Sequence, residues 1–237
     1  EPLRDFLILH VKRLILIDQP HPGSDRVGPK IEEYKEHKFT THSPSWWMGL
    51  LTPFLKLSNQ NKTQIVFKIR DFMSVIDWGI RDKIHFDYFI GMESINTLAG
   101  IILKSLGRVK KVIYYVLDYS PDRYGRLANI IYLALDRFCA THSDFTWDVS
   151  PAFHPARVAA GLDPHKSAPV VHVPIGVYPQ QLIFTPVAKR QLFSICYMGT
   201  LSVEQGPDLA IEMMPIILKK YPQAVLHIVG GGQNNLN

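Results

Sequence analysis

Residues 86–117 read FDYFIGMESINTLAGIILKSLGRVKKVIYYVL, and this stretch decides the fold class. Its apolar runs at 86–91 and 109–117 have the length of buried strands. The segment between them repeats apolar residues at helical spacing and ends at Gly107, a residue that commonly terminates helices. One face of this predicted helix carries Ile95, Leu98, Ala99, Ile102 and Leu106. The order strand, helix, strand predicts a parallel β-α-β unit.

The same alternation continues on both sides of this unit. Further strands are predicted at 13–18, 144–149, 169–174, 192–198 and 224–229. Four further helices are predicted, at 62–83, at 125–141, near Arg157, and between Gly206 and Tyr221. The first carries Ile65, Ile69, Phe72, Ile76 and Ile80 on one face. The second is expected to point Ile131, Leu135 and Phe138 inward. Pro215 should kink the last of these helices. The sequence therefore predicts an α/β protein whose parallel sheet is covered by helices.

The composition excludes several classes of protein. The 237 residues are 46% hydrophobic and 20% charged, as expected of a packed chain rather than a disordered one. No apolar run is long enough to span a bilayer. Cys139 and Cys196 are too few for a disulfide scaffold, and their apolar surroundings predict core positions. The net charge of +5 favours anionic partners, and the expected compartment is the reducing cytoplasm.

Polar residues cluster where the predicted strands end. In open parallel sheets, ligands bind beyond the carboxyl ends of the strands. The residues found there are Glu93, Ser94, Asn96, Asp118, Tyr119 and Ser150. Hydroxyl and carboxylate groups on one edge predict a pocket for a sugar or polyol. The alternative is that Ser94, Asp118 and Ser150 cap the helices that follow them.

A glycine-flanked loop precedes the last predicted helix. Gly199 and Gly206 enclose it, and backbone amides in such loops attract phosphate. The loop is not a P-loop, because no Lys-Ser or Lys-Thr pair follows Gly206. The run 230–232 is three glycines and reads as a tight turn.

This region resembles a known family. Residues 195–212, ICYMGTLSVEQGPDLAIE, and 220–232, KYPQAVLHIVGGG, are similar to the opening of the donor domain in group 1 (family 4) glycosyltransferases. Residues 89–121, 144–150 and 171–177 are similar to the N-terminal domain of that family. The resemblance implies two Rossmann-like lobes, the GT-B fold, with the chain truncated at both ends. Residues 1–186 would be the acceptor-side domain without its start, and 187–237 the first β-α-β unit of the nucleotide-sugar-binding domain.

The resemblance also implies an activity and a set of roles. The family transfers a sugar from a nucleotide-diphospho-sugar to an acceptor hydroxyl with retention, as hexosyltransferases do, without a metal or cofactor. The absence of an Asp-X-Asp triplet agrees with this. Asp118 falls where many members have a His that contacts the transferred sugar. The implied roles are catalysis for Asp118 and Glu93, donor binding for Gly199, Thr200, Gln205, Gly206 and Gly230, and acceptor binding for Ser94, Asn96, Tyr119 and Ser150.

Two positions depart from the family pattern. Thr200 and Gln205 stand where many members have Arg and Lys beside the donor diphosphate. Each missing charge-assisted contact is worth about 1.5–3 kcal/mol. The alternatives are a non-catalytic relative that binds a saccharide or a protein partner, and a nucleotide-sugar epimerase of the same fold.

Two segments predict peripheral membrane contact, and the expected acceptor is a sugar or a lipid-linked molecule, which the second segment could dock. Residues 104–111 carry four cations, and 46–55 are aromatic and aliphatic. The alternatives are a solvated charged face for 104–111 and burial for 46–55. Nucleic-acid binding is not expected, because the basic cluster adjoins apolar runs of the buried type. The ten histidines show no metal-ligand spacing, so no metal site is expected.

Overall fold

The structure is a computed structural model that describes residues 2–20, 28–36, 38–42, 64–81 and 85–231, with the backbone alone at 64–66 and 204. The chain forms two compact units, Glu1–Val177 and Tyr178–Asn237. The sequence pattern places the domain boundary later, at residue 186, and the domain assignment stays a prediction.

The first unit begins with a small antiparallel sheet between two helices. Its elements are α1 (Pro2–His10), β1 (Arg13–Asp18), β2 (Lys30–Lys35), β3 (Lys38–His42) and α2 (Gln64–Arg81). The sequence predicts β1 and α2 but misses β2 and β3, because these strands carry charged residues instead of an apolar run. Arg13 Nε on β1 donates a hydrogen bond to the Glu33 carboxylate on β2 at 2.6 Å, and the same carboxylate lies 2.6 Å from His42 Nε2 on β3. Such cross-strand pairs stabilise a sheet of low hydrophobicity.

A four-stranded parallel sheet forms the rest of the first unit. Its elements are β4 (Phe86–Met92), α3 (Glu93–Ser105), β5 (Val109–Val116), α4 (Arg126–His142), β6 (Phe145–Asp148), α5 (Phe153–Ala159) and β7 (Val170–His172). Neighbouring strands follow in the order β4-β5-β6-β7, and every pair is parallel. The predicted α/β class is therefore confirmed, and the unit is compatible with a Rossmann-like fold. The carboxyl ends of β4, β5 and β6 meet at one edge.

The buried faces of the helices differ from the predicted ones. On α4, Ile131 and Phe138 are 62% and 39% exposed, whereas Asp136 and Cys139 are buried. The prediction that Ile131 and Phe138 point inward is therefore wrong. Ile69, Ile80 and Leu106, which were also assigned to packing faces, are exposed as well. Helical spacing identifies apolar stripes, but the partners available inside the fold decide which stripe is buried.

Asp136 is buried because it belongs to an ionic cluster with Arg157 and Asp148. All three side chains are 1% exposed. Arg157 Nε donates to Asp136 at 3.1 Å, and its Nη1 donates to Asp148 at 2.8 Å. The hydroxyl of Tyr114 donates to Asp136 at 2.7 Å. Burial raises the pKa of Asp148 despite Arg157. The cluster ties α4, α5, β5 and β6 together, and no pattern in the sequence predicted it.

The second unit contains two parallel strands joined through two short helices. These are β8 (Ser194–Met198), α6 (Pro207–Glu212), α7 (Met214–Lys220) and β9 (Val225–Val229). The helical stretch is divided at Met213, and Pro215 lies in the first turn of α7, so the predicted kink is confirmed. Cys196 is exposed, so its predicted core position is wrong, whereas Cys139 is buried as predicted. Side chains alternate along β8, and Cys196 lies on the exposed side.

Candidate functional site

Glu93 stands at the carboxyl end of β4 in an unusual backbone conformation. Its φ is +63°, in the left-handed region that residues with a side chain seldom adopt. The contact that holds it there comes from Thr97, whose hydroxyl lies 2.9 Å from the carbonyl oxygen of Gly91 and 2.8 Å from that of Glu93. Such strain costs about 1–3 kcal/mol and occurs preferentially at functional sites.

The carboxyl of Glu93 reaches the end of the neighbouring strand. The amide of Leu117 donates to Glu93 Oε1 at 3.4 Å. Burial raises the pKa of Glu93 above its ordinary value, against the opposing effects of Arg123, the Leu117 amide and Lys68, while Asp118 raises it further. A carboxyl of this kind holds its proton at a higher pH than a solvated one and can donate as well as accept hydrogen bonds.

An exposed ion pair lies beside Glu93. Arg123 Nη1 is 3.2 Å from Asp118 Oδ2 and donates to the Asp118 carbonyl oxygen at 3.2 Å. The Asp118 side chain is 69% exposed, so it remains accessible to a ligand. The guanidinium also lies over the Tyr132 ring at 5.9 Å. The sequence placed Glu93 and Asp118 on one edge but missed Arg123, although a cation in the loop after a candidate carboxylate was a usable signal.

The loop that carries this pair is held by Asn129. Its Oδ1 accepts from the amides of Arg123 and Tyr124 at 3.1 and 3.2 Å, and its Nδ2 donates to Pro121 at 2.7 Å. These bonds tie the loop to the first turn of α4 and preorganise Arg123 near Asp118.

The remaining residues predicted for the first unit take different positions. Ser94 is 6% exposed, and Tyr119 lies in the hydrophobic core with a 7% exposed side chain. Ser150 Oγ accepts from the amide of Ala152 at 3.3 Å. Asn96 Nδ2 donates to Met92, while its Oδ1 is buried without a partner among the described atoms. The Oδ1 of Asn96 is shielded from solvent, so it is not open to a ligand in this conformation.

The capping alternative does not account for Ser94 or Asp118. The N-caps of α3 and α4 are Met92 and Gly125, and neither makes a side-chain cap bond. Ser94 lies inside α3, and Asp118 precedes α4 by several residues. The alternative is wrong for these two residues, which leaves Asp118 available for another role.

Replacing Glu93 by glutamine tests the buried carboxyl. A carboxyl whose pKa is raised by folding stabilises the folded state below its unfolded pKa, and this contribution is lost as the pH rises through the folded pKa. Glu93→Gln is therefore expected to raise the free energy of unfolding at about pH 7 by about 1 kcal/mol, and the gain should vanish towards about pH 4. Urea unfolding at several pH values measures it. The exposed control, Asp122→Asn, should change stability by less than about 0.5 kcal/mol. A gain that persists at low pH would contradict the assignment.

The glycine loop of the second unit is closely packed. Gly199 donates to the carbonyl of Val229 at 3.0 Å, and a Cβ added at Gly230 would lie 1.8 Å from the Gly199 oxygen. Only glycine fits at position 230. Gly206 has φ +71° and precedes α6. Glycines at positions 199 and 230 thus allow the backbone after β8 and the backbone after β9 to contact each other directly.

Tyr197 organises the same loop and was missed by the sequence analysis. Its hydroxyl donates to the carbonyl of Thr200 at 3.0 Å and lies 3.3 Å from that of Gln205. Both residues are exposed, so their side chains are open to a ligand. An aromatic residue two positions before the first glycine was the available signal.

The charged segment at 104–111 is partly neutralised. Lys104 Nζ lies 2.6 Å from Asp144, and Lys110 Nζ lies 2.6 Å from Asp87. These ion pairs weaken its attraction for anionic lipid. The second segment, 46–55, lies outside the described residues. Across the ranges that the structure covers, no helix has the length and hydrophobicity needed to cross a bilayer. The same ranges contain no group of His, Cys, Asp or Glu side chains that could hold a metal ion.

No family model matches the chain, and no curated protein is significantly similar to it.

Proposed function

We propose that this chain acts in glycosyl transfer, moving a sugar from a nucleotide-diphospho-sugar to an acceptor hydroxyl with retention. One observation carries the proposal. Glu93 adopts a strained conformation that places a partly buried carboxyl beside the exposed Asp118–Arg123 pair. Strain and desolvation both lower stability, and such costs are typical of residues kept for function.

The chemistry of this cluster suits sugar hydroxyls. Asp118 offers an exposed carboxylate that accepts hydrogen bonds, and Arg123 offers donors beside it. The Glu93 carboxyl, which already accepts a hydrogen bond from the Leu117 amide, offers a further acceptor. Two hydroxyls on adjacent carbons of a sugar would therefore find the donors of Arg123 and the acceptors of Asp118 and Glu93 side by side.

The proposed mechanism needs no protein nucleophile. The acceptor hydroxyl attacks on the face of the leaving group, and the departing phosphate takes its proton. Positive charge develops on the sugar ring, and the Asp118 carboxylate would stabilise it. Glu93 would orient the sugar through hydrogen bonds. In the second unit, the exposed side chains of Thr200 and Gln205 would contact the donor phosphates, because most backbone amides of this loop already donate to backbone carbonyls.

Titration with nucleoside diphosphates tests donor binding. Calorimetry with UDP, GDP, ADP, CDP and TDP is expected to show one of them binding with Kd of about 1 mM or tighter. The double variant Thr200→Arg/Gln205→Lys supplies the two missing cations and should tighten this Kd by at least about tenfold. The matched control, Gln181→Arg/Gln223→Arg, adds the same charge at exposed positions of the same unit and should leave the Kd unchanged. Absence of binding at about 1 mM for every diphosphate would count against the proposal.

A second candidate is a non-catalytic relative that binds a saccharide. Thr200 and Gln205 favour it, because neither supplies a cation to offset a diphosphate. This candidate requires that the wild-type chain transfer no sugar and that Thr200→Arg/Gln205→Lys transfer none either. Sugar transfer by the wild type would exclude it.

A further inference from the structure

The outward face of α4 is apolar. Leu127, Ile130 and Ile131 are 73%, 57% and 62% exposed, and Phe138 is 39% exposed. Their positions recur at helical spacing around Ala134, so they form one stripe along the helix. The opposite face buries the carboxylate of Asp136. A surface helix normally shows the reverse arrangement, with its apolar stripe inward and its charges outward.

The charges on α4 narrow down what could cover this stripe. Asp136 is the one carboxylate between Arg126 and His142, and it is buried against Arg157. The exposed ionisable residues of the helix are Arg126 and His142 at its two ends. The outer face of α4 thus presents apolar side chains with cationic or neutral ends. The loop before the helix carries two exposed acids, Asp118 and Asp122, of which Asp118 is paired with Arg123.

The size of the stripe argues against a stable contact with a second copy. With roughly 200 Å² for a large apolar side chain in full exposure, the four residues present about 450 Å². A stable protein interface needs about 800 Å² from each partner. An antiparallel pair of α4 helices would also bring Arg126 towards His142 of the other copy, without an exposed carboxylate on either helix to pair with it.

We propose that the outer face of α4, defined by Leu127, Ile130, Ile131 and Phe138, docks on a lipid bilayer with anionic headgroups. An apolar helix face of this size, inserted at the level of the headgroups, is a known mode of peripheral binding. Phe138 stacks on His142 at 4.1 Å, which places an aromatic pair at one end of the stripe. Arg126 and the net charge of +5 add attraction to anionic lipid.

The surface lies next to the candidate site. The loop that carries Asp118 and Arg123 leads directly into the first turn of α4. Docking through α4 would therefore bring the site close to the headgroups, where a lipid-linked acceptor presents its hydroxyl. The docking itself does not depend on the proposed function, because it needs neither donor nor acceptor.

Vesicle flotation with the full chain tests the proposal. The wild type is expected to float with vesicles of phosphatidylcholine containing about one third phosphatidylglycerol, and less with phosphatidylcholine alone. Leu127→Gln/Ile131→Gln keeps good helix formers at exposed positions and should weaken binding at least about tenfold. Arg126→Gln should weaken binding to the anionic vesicles by about fivefold. Circular dichroism and urea unfolding check that each variant is folded.

The matched control lies on α2. Ile69 and Met73 are 59% and 44% exposed at the same four-residue spacing, but Asp77 accompanies them on that helix. Ile69→Gln/Met73→Gln should leave vesicle binding unchanged. The proposal is overturned if the wild type does not float with anionic vesicles, or if the α2 and α4 variants lose binding equally. It is also overturned if the wild type is a dimer in solution that Leu127→Gln/Ile131→Gln converts to a monomer. Nucleotide binding is measured separately, so failure of either proposal leaves the other testable.

Discussion

Replacing Arg157 by methionine is expected to lower the free energy of unfolding by about 3–5 kcal/mol. The substitution keeps much of the side-chain volume but leaves the carboxylates of Asp136 and Asp148 buried without their cation. Burial would then hold the pKa of Asp148 above that of the unfolded chain without Arg157 to oppose it. The loss should therefore be largest at neutral pH and shrink as the pH falls and Asp148 takes up a proton. Urea unfolding between about pH 4 and pH 7 measures the effect.

Two further variants separate charge from packing at this cluster. Arg126→Met removes an exposed arginine and should change stability by less than about 0.5 kcal/mol. Adding Asp136→Asn and Asp148→Asn to Arg157→Met removes the uncompensated charges and should restore part of the lost stability. A loss below about 1 kcal/mol for Arg157→Met alone would show that the cluster is not the buried charge network described above.

Replacing Gly91 by alanine is expected to lower the free energy of unfolding by about 3 kcal/mol. The added Cβ would lie 2.5 Å from both the Cα and the Oγ1 of Thr97. The backbone of α3 would have to move away from β4, because a Cα atom cannot yield as the end of a flexible side chain can. Thermal and urea unfolding measure the loss.

The same substitution reports on the site. Thr97 holds the carbonyl oxygens of both Gly91 and Glu93, so its displacement should also release the strained backbone of Glu93. Glu93→Gln in the Gly91→Ala background is then expected to lose part of its stabilising effect at neutral pH, because neighbouring changes couple. Gly125→Ala is the control, since a Cβ there would meet nothing within 4 Å, and it should cost less than about 1 kcal/mol. A comparable loss in both glycine variants would contradict the packing explanation.

The strands of the first unit were predicted more accurately than its helix faces. The predicted limits of 86–91 and 109–117 differ by one residue from β4 (Phe86–Met92) and β5 (Val109–Val116). Continuous apolar runs mark such strands because both faces of a parallel sheet are buried. β2 and β3 have no run of this kind. They are stabilised by contacts such as that of Arg13 with Glu33, which lie 20 residues apart.

The candidate site was predicted in part. The expectation that polar groups at the ends of β4 and β5 come together holds for Glu93, whose carboxyl reaches the amide of Leu117. Tyr119, placed in the same pocket by the pattern, lies in the core instead. An aromatic residue at a strand end suits a binding site and a core equally, and the sequence does not distinguish them. The roles of Thr200 and Gln205 in donor binding stay predictions.

Local information in the chain was sufficient for the alternation of strands and helices, for the end of α3 two residues before Gly107 and for the break in the helix before Pro215. These features depend on backbone conformation and on residues within a turn or two of each other. Three other features became visible only in the folded chain: which face of α4 is buried, the partial burial of Glu93, and the ionic cluster. Arg157 meets Asp136 across 21 residues and Asp148 across 9, and Glu93 meets Leu117 across 24. Contacts at such separations arise from packing between elements, and no periodic pattern within one element encodes them.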